Sequence, residues 1–165
     1  MILSAYSFPA STYYSDSHIF FSPHNENELF IQLGDSAPVD EFSLRVRFST
    51  SGWTSPLTSG VINQNQLYHL VVTYNSTNGY KMYLDGVEVD SSSITEGIAT
   101  DSLSNMIGGY GDTDQRFWDG KGDDFKVYAA TLSPEEVQAK ADATKSSPDF
   151  FSQQAAEGTS AGTTV

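Results

Sequence analysis

At 165 residues the chain makes one domain or part of one, and a net charge of −13 with only 8 basic side chains argues against nucleic acid and anionic membrane surfaces as partners. Zero cysteines exclude disulfides, thiol catalysis and cysteine-ligated zinc, and no run approaches the ~20 apolar residues of a membrane helix. The apolar fraction of 38% is modest, but 10 Phe, 9 Tyr and 2 Trp supply area for a sizeable core, and the acidity suits cations, neutral sugars or basic partners.

Taken in order, Ile2–Phe8 is expected to be a strand and Pro9–Ser17 a polar loop carrying Tyr13 and Tyr14. His18–Ser22 reads as a short apolar strand, Pro23–Asn27 as a turn, and Glu28–Leu33 as a strand stopped by Gly34-Asp35. Asp40–Ser49 alternates, with Phe42, Leu44, Val46 and Phe48 opposite Ser43, Arg45 and Arg47, which predicts a half-buried strand with a wet face. Thr50–Gln66 reads as a loop-rich crossing around Trp53. The clearest signal follows. Tyr68, Leu70, Val72 and Tyr74 alternate with His69, Val71 and Thr73; Asn75–Gly79 is a polar turn; Tyr80, Met82 and Leu84 alternate with Lys81, Tyr83 and Asp85. Asp85-Gly86 is a primed-turn signal, so Val87 and Val89 open a third consecutive antiparallel strand.

Asp90–Ser104 is polar and acidic, with Ile94, Ile98 and Leu103 as anchors. Asn105–Tyr110 is expected to be a strand opening into the loop Gly111–Lys121, and Asp123–Ala129 the last strand, with Phe125, Val127 and Ala129 on one face. A short helix starts with Ser133 as N-cap, Pro134 at the first position and Glu136 closing a capping box. Residues 1–144 are read as the domain, and 145–165, rich in Ser, Thr, Gly and Ala, as a linker or disordered tail in which Phe150-Phe151 alone could dock.

Two stretches carry a resemblance. The string Tyr68–Tyr74, a short polar turn and Met82-Tyr83-Leu84-Asp85-Gly86 resemble the central signature of LamG-like, concanavalin A-like jelly rolls, a superfamily that includes laminin G modules and pentraxins. Met106-Ile107-Gly108-Gly109, an acidic loop, Trp118–Tyr128 and Leu132–Val137 are similar to its closing section, in that order. Tyr68 stands where the family often has Trp, and Gly122 where it usually has a branched apolar residue. The resemblance covers about residues 1–142 and implies an all-β, two-sheet antiparallel jelly-roll sandwich with one short C-terminal helix. Family members typically begin with further strands before the position matched by Ile2, so the domain is expected to be partial at its N-terminus, with an unpaired edge and an uncovered apolar patch. MILSAYSFPA has no basic region and too short an apolar run for a signal peptide. That leaves a cytosolic chain or an excerpt of a longer, multidomain exported protein, and the resemblance favours the excerpt.

The candidate chemistry concentrates in one loop. Calcium takes six to eight oxygens on a bendable loop, and Asp112, Asp114 and Gln115 among glycines could supply several, with Asp119 beyond them. Pentraxin-like members place calcium ligands in the corresponding loop, which implies Ca2+ at Asp112, Asp114 and Gln115; a solvated Asp/Gly turn is the plainer alternative. Tyr110 and Trp118 flank that loop, and with Trp53, Tyr13 and Tyr14 they are candidates for stacking on a sugar face. Trp118 could equally anchor the core. Catalysis is not expected. Related retaining glycosidases carry a Glu-x-Asp-x-x-Glu or Glu-x-Asp-x-Glu run that is absent here, Glu26 and Glu28 sit in a turn, His18, His24 and His69 are scattered, and no Ser motif forms a nucleophile elbow. Asn75-Ser76-Thr77 is a glycosylation sequon of the kind that chance supplies. By fold-level analogy the expected function is a non-catalytic, extracellular or cell-surface, carbohydrate-binding module, calcium-assisted; the alternatives are an adhesion or structural module with an extracellular protein partner, or an accessory piece of a polysaccharide-degrading enzyme.

Overall fold

The computed structural model describes residues 1–11, 16–23, 29–34, 38–48, 52–53, 57–97, 105–109 and 116–146. They form eleven strands and one helix: β1 (Ile2–Ala5), β2 (His18–Pro23), β3 (Leu29–Leu33), β4 (Glu41–Phe48), β5 (Gly52–Trp53), β6 (Leu57–Val61), β7 (Tyr68–Asn75), β8 (Gly79–Leu84), β9 (Val87–Ser92), β10 (Asn105–Ile107), β11 (Gly120–Asp123) and α1 (Pro134–Lys145). One sheet has the order β11-β1-β7-β8-β9; the other runs β10-β2-β3-β4-β5, with β6 also on β4. Every pairing is antiparallel. This is the two-sheet jelly-roll sandwich that the family resemblance implies, built from the strands that the alternation predicts.

Alternate residues of each sheet meet in the core. Phe42, Leu44 and Val46 of β4 and Ile31 and Leu33 of β3 face Leu3, Leu70, Tyr80 and Met82 of the other sheet. The β7–β8 ladder runs unbroken from Leu70↔Leu84 to Asn75↔Gly79. Asp85 and Gly86 turn it into β9 with φ of 55° and 92°, the left-handed pair that a primed turn needs. The capping box of α1 is complete: Ser133 Oγ accepts from the Glu136 N–H at 3.2 Å, and Glu136 Oε2 accepts from the Ser133 N–H at 2.7 Å. Val137 and Ala141 are fully buried where the helix lies against β7 and β9.

Five expectations need correction. The crossing Thr50–Gln66 holds two short strands, β5 and β6, which extend the second sheet along one edge of β4. Ser43 does not face water: it is fully buried, and its hydroxyl donates to the Gln32 and Gly34 carbonyls at 3.4 and 3.3 Å. The first strand stops at Ala5 rather than Phe8, and the tenth at Ile107 rather than Tyr110. The last strand is displaced to Gly120–Asp123, because β1 sets its register from Ala5↔Gly120 to Ile2↔Asp123. Asp124 then takes φ of 52°, and residues 124–131 run on without a ladder among the described residues. The same register explains Gly122. A Cβ there would lie 2.3 Å from the Phe20 ring, so the ring reaching across from β2 fills the space of a branched side chain. Of the acidic stretch, Ile94 packs on the core; Ile98, Leu103, Tyr13, Tyr14, Glu26 and Glu28 and the tail 147–165 lie outside the described residues.

Candidate functional site

The loop between β10 and β11 leaves and re-enters the sandwich at one narrow place beside β2. The Gly108 N–H donates to the Phe20 carbonyl at 2.7 Å, and the Trp118 N–H to the Gly108 carbonyl at 3.1 Å. The buried Ser22 hydroxyl donates to the Gly109 carbonyl at 2.7 Å, and the Ile19 N–H to the Arg116 carbonyl at 3.3 Å. A parallel bridge, Ile19↔Phe117, completes this foot. Tyr110, Asp112, Asp114 and Gln115 lie outside the described residues, as does the side chain of Trp53, whose backbone pairs with Arg47. Among the described residues, no three acidic or imidazole side chains converge to hold a metal ion.

Trp118 and Phe117 point opposite ways, as neighbours on an extended segment do. Trp118 turns inward: its ring stacks on Phe42 (centroids 6.2 Å, 27°), meets Phe20 edge-on at 5.7 Å, and its indole N–H donates to the Lys121 carbonyl at 3.2 Å. Both its ring contacts and its donor serve the core. Phe117 turns outward, 56% exposed, with its ring so close over Gly109 that a Cβ there would lie 2.9 Å away. Ile107, also 56% exposed, ends β10 two residues before Gly109. The loop therefore stands on an aromatic, solvent-facing foot. Asp119 lies just past it, and the Ser7 hydroxyl bonds its carboxylate.

A second feature lies away from this loop. A cavity of about 930 Å3 opens between β7 and the segment 124–131. His69, on its wall, is almost fully buried with no partner at Nδ1, and burial, with the N-terminal ammonium adding to it, pushes its pKa down to about 4. His18 is likewise held below its ordinary value by burial, against the attraction of Asp119.

A family model described as the concanavalin A-like lectin/glucanases superfamily matches residues 3–138. The chain belongs to that superfamily. No curated protein matches it in sequence. Among solved structures, this concanavalin A-like domain is similar to a candidate carbohydrate-binding protein from Bacteroides ovatus ATCC 8483, at 17% identity and a TM-score of 0.65 over 83% of this chain and 38% of that one. It is also similar to domain 4 of AbnA, a GH43 extracellular arabinanase from Geobacillus stearothermophilus solved in complex with arabinotriose, at 18% identity and a TM-score of 0.54 over 85% of this chain and 63% of that one. At these identities the likeness is one of fold. The chain spans less than two thirds of either structure's length.

Sequence reasoning missed two features of this concanavalin A-like domain. Phe117 could have been found from alternation, since fixing Trp118 inward sends its neighbour outward. The cavity had a weaker signal: Phe125, Val127 and Ala129 carry a strand pattern that pairs with no strand among the described residues.

Proposed function

We propose that the chain is a non-catalytic glycan-binding module of a longer exported protein, with its sugar site at the foot of the 110–115 loop. The exposed ring of Phe117 carries this reading, because a sugar's C–H face packs on an exposed aromatic while loop carboxylates and amides take its hydroxyls. The descriptions of the two neighbours, one a candidate carbohydrate binder and one holding arabinotriose, support the ligand class. Calcium held by Asp112, Asp114 and Gln115 would order the loop and add a charged anchor for hydroxyls; this part rests on the sequence.

A glycan array run in calcium and in chelator tests the reading. The expected result is binding to a neutral plant or bacterial oligosaccharide that weakens about tenfold on Phe117→Ala, as the loss of one stacking contact implies, and that falls in chelator. No signal under either condition overturns the glycan reading. Binding untouched by Phe117→Ala moves the site elsewhere, and a melting temperature indifferent to chelator removes calcium.

A further inference from the structure

The end of the sandwich where the loop returns carries a second exposed ring. β1 and β11 hold the register Ala5↔Gly120, and the Tyr6 N–H donates to the Asp119 carbonyl at 2.9 Å, which carries the pairing one residue further. Residues opposite each other in a ladder send their side chains to the same face. Leu3 and Ala5 are fully buried in the core, so Tyr6, next in the alternation, turns outward and is 41% exposed. Asp119 is exposed on the same side. So is Phe117, two residues earlier on the extended segment whose inward ring is Trp118. Phe117, Asp119 and Tyr6 therefore share one solvent-facing strip, made from two distant parts of the chain.

Each member of the strip is held in place. The Phe117 ring rests against Gly109, where a side chain would collide with it. Lys121 Nζ lies over the Tyr6 ring, 6.0 Å from its centroid. The Ser7 hydroxyl donates to Asp119 Oδ2, and Asp119 Oδ1 has no hydrogen bond among the described residues. Across the pairing, Tyr6 and Phe117 are diagonal neighbours, which sets their backbones about 8 Å apart. One sugar ring is too narrow to cover both aromatic faces at that separation. Joined units reach both, with their hydroxyls over the carboxylate between the rings.

We propose that Tyr6 is a second stacking platform, that Asp119 accepts hydroxyls between it and Phe117, and that the strip binds a neutral oligosaccharide along its chain rather than a single terminal sugar. This inference rests on the glycan reading and specifies its ligand class. Two platforms on one rigid end of the sandwich act together, because the second ring engages a unit that the first has already brought close. The central carboxylate and the net charge of −13 disfavour acidic sugars.

The probes are arabino-, xylo- and cello-oligosaccharides of increasing length, from the monosaccharide to the tetrasaccharide, with an oligogalacturonide as the acidic control. Each is titrated into the whole chain by calorimetry. At least one neutral series should bind about tenfold more tightly as tetrasaccharide than as monosaccharide, as one added stacking contact implies. Tyr6→Ala should remove that gain, so that the tetrasaccharide binds as weakly as the monosaccharide. Tyr6→Leu, which keeps an apolar side chain at the end of β1 without a ring face, should do the same, and Tyr6→Phe should retain the gain; circular dichroism checks that each variant is folded. Binding that gains nothing with length, or a Tyr6→Ala loss equal at every length, overturns the second platform and leaves the glycan reading standing. Oligogalacturonide binding as tight as that of the neutral tetrasaccharide overturns the neutral class. No binding by any of the three neutral series overturns this inference, whereas the glycan reading falls only if the array is silent as well.

Discussion

In β7, β8 and β9 each strand pairs with the next one in sequence, across turns of a few residues, and the β7–β8 ladder is complete. In the closing section β11 pairs with β1, from the opposite end of the domain, and residues 124–131 that follow it have no ladder among the described residues. The first region supplies its own partners at small loop-closure cost; the second depends on segments brought from far away. A strand pattern becomes a strand only where another edge is present to receive it.

The largest test of this contrast is truncation in each region. Leu70 is fully buried under β7, so Leu70→Ala should lower unfolding free energy by about 3 kcal/mol. Phe125, half-buried against Phe20 and Phe21 beside the cavity, should cost less than half as much, on the order of 1 kcal/mol, on Phe125→Ala. Equal losses in denaturant titration would erase the distinction.

Acid probes the boundary between the two regions, where His69 lies. Its folded pKa of about 4 is below the ordinary 6.5, so between those values the unfolded chain binds the extra proton. Stability is therefore full above pH 6.5 and falls as pH drops towards 4, by on the order of 2 kcal/mol once screening by solvent in the cavity is allowed for. His69→Gln should flatten that part of a stability-against-pH curve; an unchanged slope removes His69 as its source. The smallest effect belongs to α1, whose cap is local and exposed. Ser133→Ala should cost about 1 kcal/mol in the same titration.

These differences also explain what was legible in the sequence. β7, β8, β9 and the capping box follow from short-range rules, and all appear where alternation and cap residues put them. β5 and β6 escaped notice because Gly52–Trp53 and Leu57–Val61 are too short to show a period, and they become strands through the edge of β4. The endpoint of the closing strand was misjudged because its register belongs to β1, which no local pattern near residue 123 encodes. At the candidate site, the aromatic enrichment around the loop was visible, but which ring faced outward was decided by Phe20 and Phe42, neighbours from the opposite side of the chain's path.

The Phe20 ring over Gly122 has a consequence for how this domain can vary. One volume is shared between two positions about a hundred residues apart, and either one can own it. Phe20→Ala empties the space and Gly122→Val crowds it, yet the two together hand the volume from one sheet to the other. Positions 20 and 122 thus behave as a single site with two addresses, and substitutions there should be tolerated as exchanges more readily than one at a time.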